Sequence, residues 1–146
     1  MSTCQYCKCS YFEGAIGNDD EDVCLCYEKF YEVSFKDGVL YLSGGVTISY
    51  GIYVIRSDLL MAKTNGVDSH KIKIIEANKN VYFSNNKNIS AKSDKLFMDV
   101  DKKIVTLEGD VEFSQDKSII RAKKINVDLK TETVDFEGIQ DSFIKN

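Results

Sequence analysis

Val39-Leu-Tyr-Leu-Ser-Gly-Gly-Val-Thr-Ile-Ser49 and Ile104-Val-Thr-Leu-Glu-Gly-Asp-Val-Glu-Phe-Ser114 are two copies of one pattern. A third copy, weaker at its start, runs Ile75-Glu-Ala-Asn-Lys-Asn-Val-Tyr-Phe-Ser84. In the clearest copy Val105, Leu107, Gly109, Val111 and Phe113 are apolar or small, while Thr106, Glu108, Asp110 and Glu112 between them are polar. Successive side chains of a strand point to opposite sides, so this alternation marks a β-strand with one buried and one solvated face. A unit that recurs about every 30 residues predicts strand pairs stacked one on the next, with function spread along a surface rather than set in one pocket.

Working outward, a second strand follows each copy. In Ser118 to Leu129, Ile120 and Ala122 share one parity, and Ile125, Val127 and Leu129 share the other. The change falls at Lys123-Lys124. Ile55 and Ser57 give way to Leu60 and Ala62 across Asp58-Leu59, and Ser93 gives way to Leu96 and Met98 across Asp94-Lys95. A change of phase without a turn requires a bulge or a sharp bend, so the sequence predicts a corner at the same place in every unit. Turn residues separate the strands at Lys36-Asp-Gly38, Thr64-Asn-Gly66, Asn85-Asn-Lys-Asn88, Asp101-Lys-Lys103, Gln115-Asp-Lys117 and Lys130-Thr-Glu132. No window keeps the i, i+3, i+4, i+7 pattern of an amphipathic helix. The chain reads as all-β, a twisted antiparallel arrangement in which each strand turns at its corner into a facing sheet.

The text changes near residue 23. Residues 1–22 hold Cys4, Cys7, Cys9 and the acidic run Asn18 to Asp22 with no sustained period, and read as a poorly ordered tail. Residues 23–146 read as one β domain, with a first strand over Val23 to Phe35 and a last over Val134 to Phe143. The composition is that of a soluble protein, 43% hydrophobic and 29% charged with net charge −4. Lys and Arg are interspersed with acids, so there is no nucleic-acid footprint. No apolar run approaches the ~18 residues of a membrane helix, and the first residues lack the basic and apolar regions of a secretory signal. Proline is absent, which removes one common defence of an open strand edge. The first and last strands are therefore candidates for strand addition by a neighbour, or the N-terminal tail caps the first edge.

Chemistry is sparse. Cys4, Cys7, Cys24 and Cys26 are weak candidates for a four-thiolate zinc site, but the C-x-C spacing is atypical. Disulfides are a second reading, in which Cys24 and Cys26 share a strand face and need partners from the tail; free thiols in an unstructured tail are the third. His70 sits in a polar connection without a nucleophile elbow, and reads as solvated. The acidic run lacks the calcium-loop pattern, and Asn88-Ile-Ser90 fits a glycosylation pattern that carries little weight by itself. Arg56 and Arg121 fall at equivalent positions on the outward face, available to phosphate groups or simply solvated. The sequence predicts no enzyme and no cofactor. The inward set is Val46, Ile48, Ile55, Leu60, Val81, Phe83, Leu96, Met98, Val111, Phe113, Ile120, Ile125 and Val127. Any two-layer β protein needs such a face as its core, so pattern alone does not make it a ligand site.

The ordered recurrence of a strand with a central Gly (Leu40 to Ile48, Val105 to Phe113) and a following strand (Ile55 to Leu60, Ser93 to Leu96, Ile120 to Ile125) resembles the OstA-like family. Val134-Asp-Phe-Glu-Gly138 looks like the opening of one more unit, and the likeness spans about Val23 to Ile139. This is the fold of the lipopolysaccharide-transport proteins LptA and LptC and of the N-terminal domain of LptD. The resemblance implies a β-jelly roll shaped as an open V-shaped trough, periplasmic, whose apolar interior takes up lipopolysaccharide acyl chains. Exposing about twelve carbons to water costs roughly 9 kcal/mol at ~0.8 kcal/mol per CH₂, so such a lining must be continuous. Phe83, Phe97, Phe113 and Met98 are its most adaptable members. The resemblance further implies edge-to-edge pairing with LptC-like and LptD-like strands and head-to-tail with further copies, in a bridge toward the outer membrane. Two departures are the cysteine-rich start and the lack of a signal or membrane anchor, which a start further upstream or a rearranged gene explains. Two rivals stay open: a cytoplasmic self-assembling β scaffold and a small zinc-stabilised binding domain.

Overall fold

The computed structural model describes residues 6–8, 23–27, 32–36, 38–64 and 72–144. They form ten strands: β1 (Tyr6–Lys8), β2 (Val23–Tyr27), β3 (Glu32–Lys36), β4 (Val39–Tyr50), β5 (Tyr53–Thr64), β6 (Ile72–Ser84), β7 (Ile89–Asp99), β8 (Ile104–Gln115), β9 (Ser118–Asp128) and β10 (Thr133–Ile144). From β4 to β10 each strand pairs antiparallel with the next in sequence. β2 pairs with Val46 to Tyr50 and β3 with Val39 to Ser43, so the two lie end to end along β4. They replace the single first strand read over Val23 to Phe35, because their common partner turns its corner between them. Among the described residues the path runs from β1 at one end to β10 at the other without closing.

The repeated corner has a common construction. Register shifts separate Ser43 from Val46, Asn78 from Val81, and Glu108 from Val111. At each, two residues face one on the following strand, as in a β-bulge. The pairs are Gly44-Gly45, Lys79-Asn80 and Gly109-Asp110, and all six residues have positive φ. Opposite them stand Asp58, Asp94 and Lys123, where the sequence changes phase. Ser57 and Ser93 are buried beside their corners. Each donates its hydroxyl to the carbonyl two residues on, Leu59 at 2.8 Å and Lys95 at 2.9 Å. Those bonds satisfy backbone oxygens that the interrupted ladder leaves over. Asn80 Nδ2 donates to Asp58 Oδ2 at 2.7 Å across one corner. At Gly109 an added Cβ would lie 2.7 Å from Asp94 Oδ2 and 2.8 Å from its Cβ. Glycine is required there by space as well as by φ.

Residues from both sides of the corners join one hydrophobic cluster, including Leu40, Leu42, Val105 and Leu107 on one side and Ile48, Phe83 and Phe113 on the other. The strands therefore fold over a shared interior. The turn after β6 is organised by buried Asn85. Its Oδ1 accepts from the backbone N–H groups of Lys87, Asn88 and Ile89 at 2.9–3.1 Å. Asp128 does similar work after β9, accepting from the N–H groups of Lys130 and Thr131. Thr64-Asn-Gly66 lies partly outside the described residues.

Candidate functional site

The register arranges the interior into rows that cross the strands. Directly opposite residues of an antiparallel pair share a face. One row runs Leu40, Ala62, Ile75, Met98, Val105, Val127, Val134, and a second runs Leu42, Leu60, Ala77, Leu96, Leu107, Ile125, Phe136. Beyond the corner a third runs Ile48, Ile55, Phe83, Ala91, Phe113, Ile120. Every member named is apolar; the first two rows reach β10, whereas the third ends at β9 and meets Ser142 on β10. With strands about 4.8 Å apart, a row over seven strands is about 29 Å long. Two aromatic contacts tie the third row to its neighbours: Tyr53 stacks on Phe83 at 5.8 Å, and Phe113 meets the Phe136 ring edge-on at 5.2 Å.

All the inward residues read from the sequence are buried except Ile120, which is half-buried. Leu40, Leu42, Ile75, Val105 and Leu107 belong to the same interior and were missing from that set, although the same alternation marks them. Among the described residues the buried polar groups are Ser57, Ser84, Asn85, Ser93 and the hydroxyl of Tyr50, which lies outside the three rows, so no ionisable group interrupts them. Phe97 is a correction. It pairs with Glu76 and Thr106 and is 43% exposed on the outer face, because its parity is opposite to that of Leu96 and Met98.

The interior side chains are buried through β4 to β8, and the interior comes to the surface at β10. Val134 and Phe136 pack on the cluster, but Ile139, Phe143 and Ile144 are exposed. Ile139 pairs with buried Ala122 and so faces inward, yet it is 58% exposed, because β10 has no further neighbour among the described residues. A cleft of about 520 Å³ opens here between Ser118, Ile119, Ile120, Ser142, Phe143 and Ile144. A groove of about 390 Å³ on the outer face is lined by Glu76, Lys95, Glu108 and Lys124 among others. Its charges make it a poor bed for hydrocarbon.

Arg56 and Arg121 lie in one outer-face row that passes through Tyr82, Lys92 and Glu112. The Arg56 guanidinium sits 5.9 Å over the Tyr82 ring. Arg121 is 3.5 Å from Glu112, 3.7 Å from Asp141 and 5.3 Å over the Phe143 ring. Both are thus engaged on the side away from the interior. Of the thiols, Cys7 lies in β1 and Cys24 and Cys26 in β2, while Cys4 and Cys9 lie outside the described residues. His70 and the acidic run Asn18 to Asp22 also lie outside them.

No curated protein matches the chain in sequence. The structure is similar to that of LptH, the LptA homologous periplasmic component of the lipopolysaccharide transport device from Pseudomonas aeruginosa. The TM-score is 0.71 at 14% identity, over 94% of this chain and 99% of that one, which shows a common fold. The model of a family described as LptA/(LptD N-terminal domain) LPS transport protein matches residues 29–133, a span that takes in β3 to β9, and the chain therefore belongs to that family.

Proposed function

We propose that this protein is a noncatalytic carrier that binds the acyl chains of lipopolysaccharide, or of a related lipid, in its apolar interior. It passes the lipid across the periplasm toward the outer membrane as one part of a transenvelope bridge. The observation that carries the reading is the pair of unbroken apolar rows that cross seven strands and end on β10. A hydrocarbon chain lying along such a row keeps every CH₂ out of water, and the sugar part stays outside the trough. Entry is at the β10 end, where Ile120 and Ile144 border the cleft and, among the described residues, no further strand follows. Nothing in the sequence binds nucleotide, so a partner supplies the energy. Partners meet the protein at its edges: LptC-like or LptD-like strands, or a further copy, adding to the free N–H and C=O groups of β10 or to the edge at the other end.

Photo-crosslinking tests the reading. A photoreactive residue at Phe83 or Phe113, in cells that make lipopolysaccharide, is expected to capture the lipid, while one at outward Tyr82 or Glu112 is not. Equal capture on the two faces, or capture only on the outer face, overturns it. Cell fractionation separately distinguishes a periplasmic carrier from a cytoplasmic scaffold.

A further inference from the structure

We propose that Cys7 and Cys26 form a disulfide that fastens β1 to the edge of the sheet. The register of β1 on β2 sets Tyr6 opposite Tyr27, Cys7 opposite Cys26 and Lys8 opposite Leu25. Directly opposite residues in an antiparallel pair have Cα atoms about 4.5–5.5 Å apart and share a face. Disulfides span about 4.4–6.8 Å between Cα atoms, so the backbone register alone sets the two cysteines within the span of such a bond. Cys24 is on the same face of β2, but two residues away along one strand, and it stands opposite no cysteine of β1 as described.

β1 has need of such a fastening. It is 3 residues long and, among the described residues, its pairing is confined to β2. A strand that short is marginal by itself, yet it covers the edge to which a neighbour would otherwise add. A bond between residues 7 and 26 closes the intervening loop and keeps β1 on that edge. Its formation breaks two S–H bonds. The two electrons and the two protons pass to a disulfide oxidant such as oxidised glutathione, whose S–S bond breaks and which leaves as two thiols. In the cell the bond rests on the oxidising compartment of the proposed function; its test does not.

The full-length chain is equilibrated with reduced and oxidised glutathione, its remaining thiols are alkylated, and unreduced digests are mapped by mass spectrometry. A linked peptide pair containing Cys7 and Cys26 is expected. Hydrogen exchange of the β2 amides should speed up on the order of a hundredfold on reduction, the size expected for opening a loop of this length. Cys7→Ser should match the reduced wild type and should respond no further to reductant. Free Cys7 and Cys26 at every glutathione ratio, either thiol joined to another cysteine, or stoichiometric zinc that alone protects both from alkylation would each overturn the proposal. Because the reaction is run on purified protein, these failures say nothing against lipid carriage, and a cytoplasmic location would say nothing against the pairing.

Discussion

Gly45 and Gly109 form a natural control pair for the corner. Both have φ +90°, but an added Cβ meets nothing within 4 Å at Gly45 and meets Asp94 at 2.7–2.8 Å at Gly109. Gly45→Ala therefore reports backbone strain alone, about 1–2 kcal/mol for an L-residue held in the left-handed region, less about 0.4–1 kcal/mol recovered from the stiffer unfolded chain. A net loss of about 1 kcal/mol is expected. Gly109→Ala adds the overlap, which forces the Asp94 side chain and its backbone aside at a further cost of about 1–3 kcal/mol. Its total should reach about 2–4 kcal/mol. Urea unfolding at constant slope reads the difference directly: at ~2 kcal/mol per molar, each kcal/mol moves the midpoint by ~0.5 M. Asp94→Gly in the Gly109→Ala background removes the clashing atoms and should return the second cost to near the value at Gly45. Equal losses at the two glycines, or no recovery in the double variant, would refute the claim that close approach at the corner fixes this glycine.

Lys79 occupies the first position of a corner pair at φ +68°, so Lys79→Gly should stabilise slightly, by about 0.5–1 kcal/mol; a destabilised variant in thermal or urea unfolding contradicts this. Asn85→Ala leaves three backbone N–H groups without their shared acceptor at a buried turn, and a loss of about 2–3 kcal/mol is expected; a change below the scatter of replicate unfolding curves would show that water takes over the site. Phe113→Ala removes a buried ring in contact with Phe136, for about 3–5 kcal/mol, with lipid capture at Phe83 falling as well; unaltered stability argues against a packed interior. Ile139→Lys with Ile144→Lys puts charge on the exposed β10 edge. Concentration-dependent self-association should weaken at least about tenfold in sedimentation while the melting temperature holds, and unchanged association would place the contact elsewhere.

The repeat and its corners were legible because both depend on period-two parity, which a single misplaced residue disturbs visibly. The breaks at Asp58-Leu59, Asp94-Lys95 and Lys123-Lys124 coincide with the register shifts of the structure. Phe97 was misread for its size, although the parity of Leu96 and Met98 already placed it outside. Ile120 is only half-buried because burial depends on the layer beyond, and beyond β9 there is only an edge strand. The interruption between β2 and β3 has no mark of its own, since its cause lies in Gly44-Gly45 across the ladder. β1 was invisible because three residues are too few to display a period. The pairing of Cys7 with Cys26 likewise depends on a register that only the fold supplies.

Pairing of each strand with the next in sequence, from β4 to β10, makes this architecture modular. Each corner draws its parts from adjoining strands and asks nothing of distant ones. Duplicating one unit of two strands would lengthen every apolar row by about 10 Å without redesigning any junction. The reach of the molecule is thus a number of links, adjustable by gene duplication, and its two dissimilar ends give any chain of such molecules a direction.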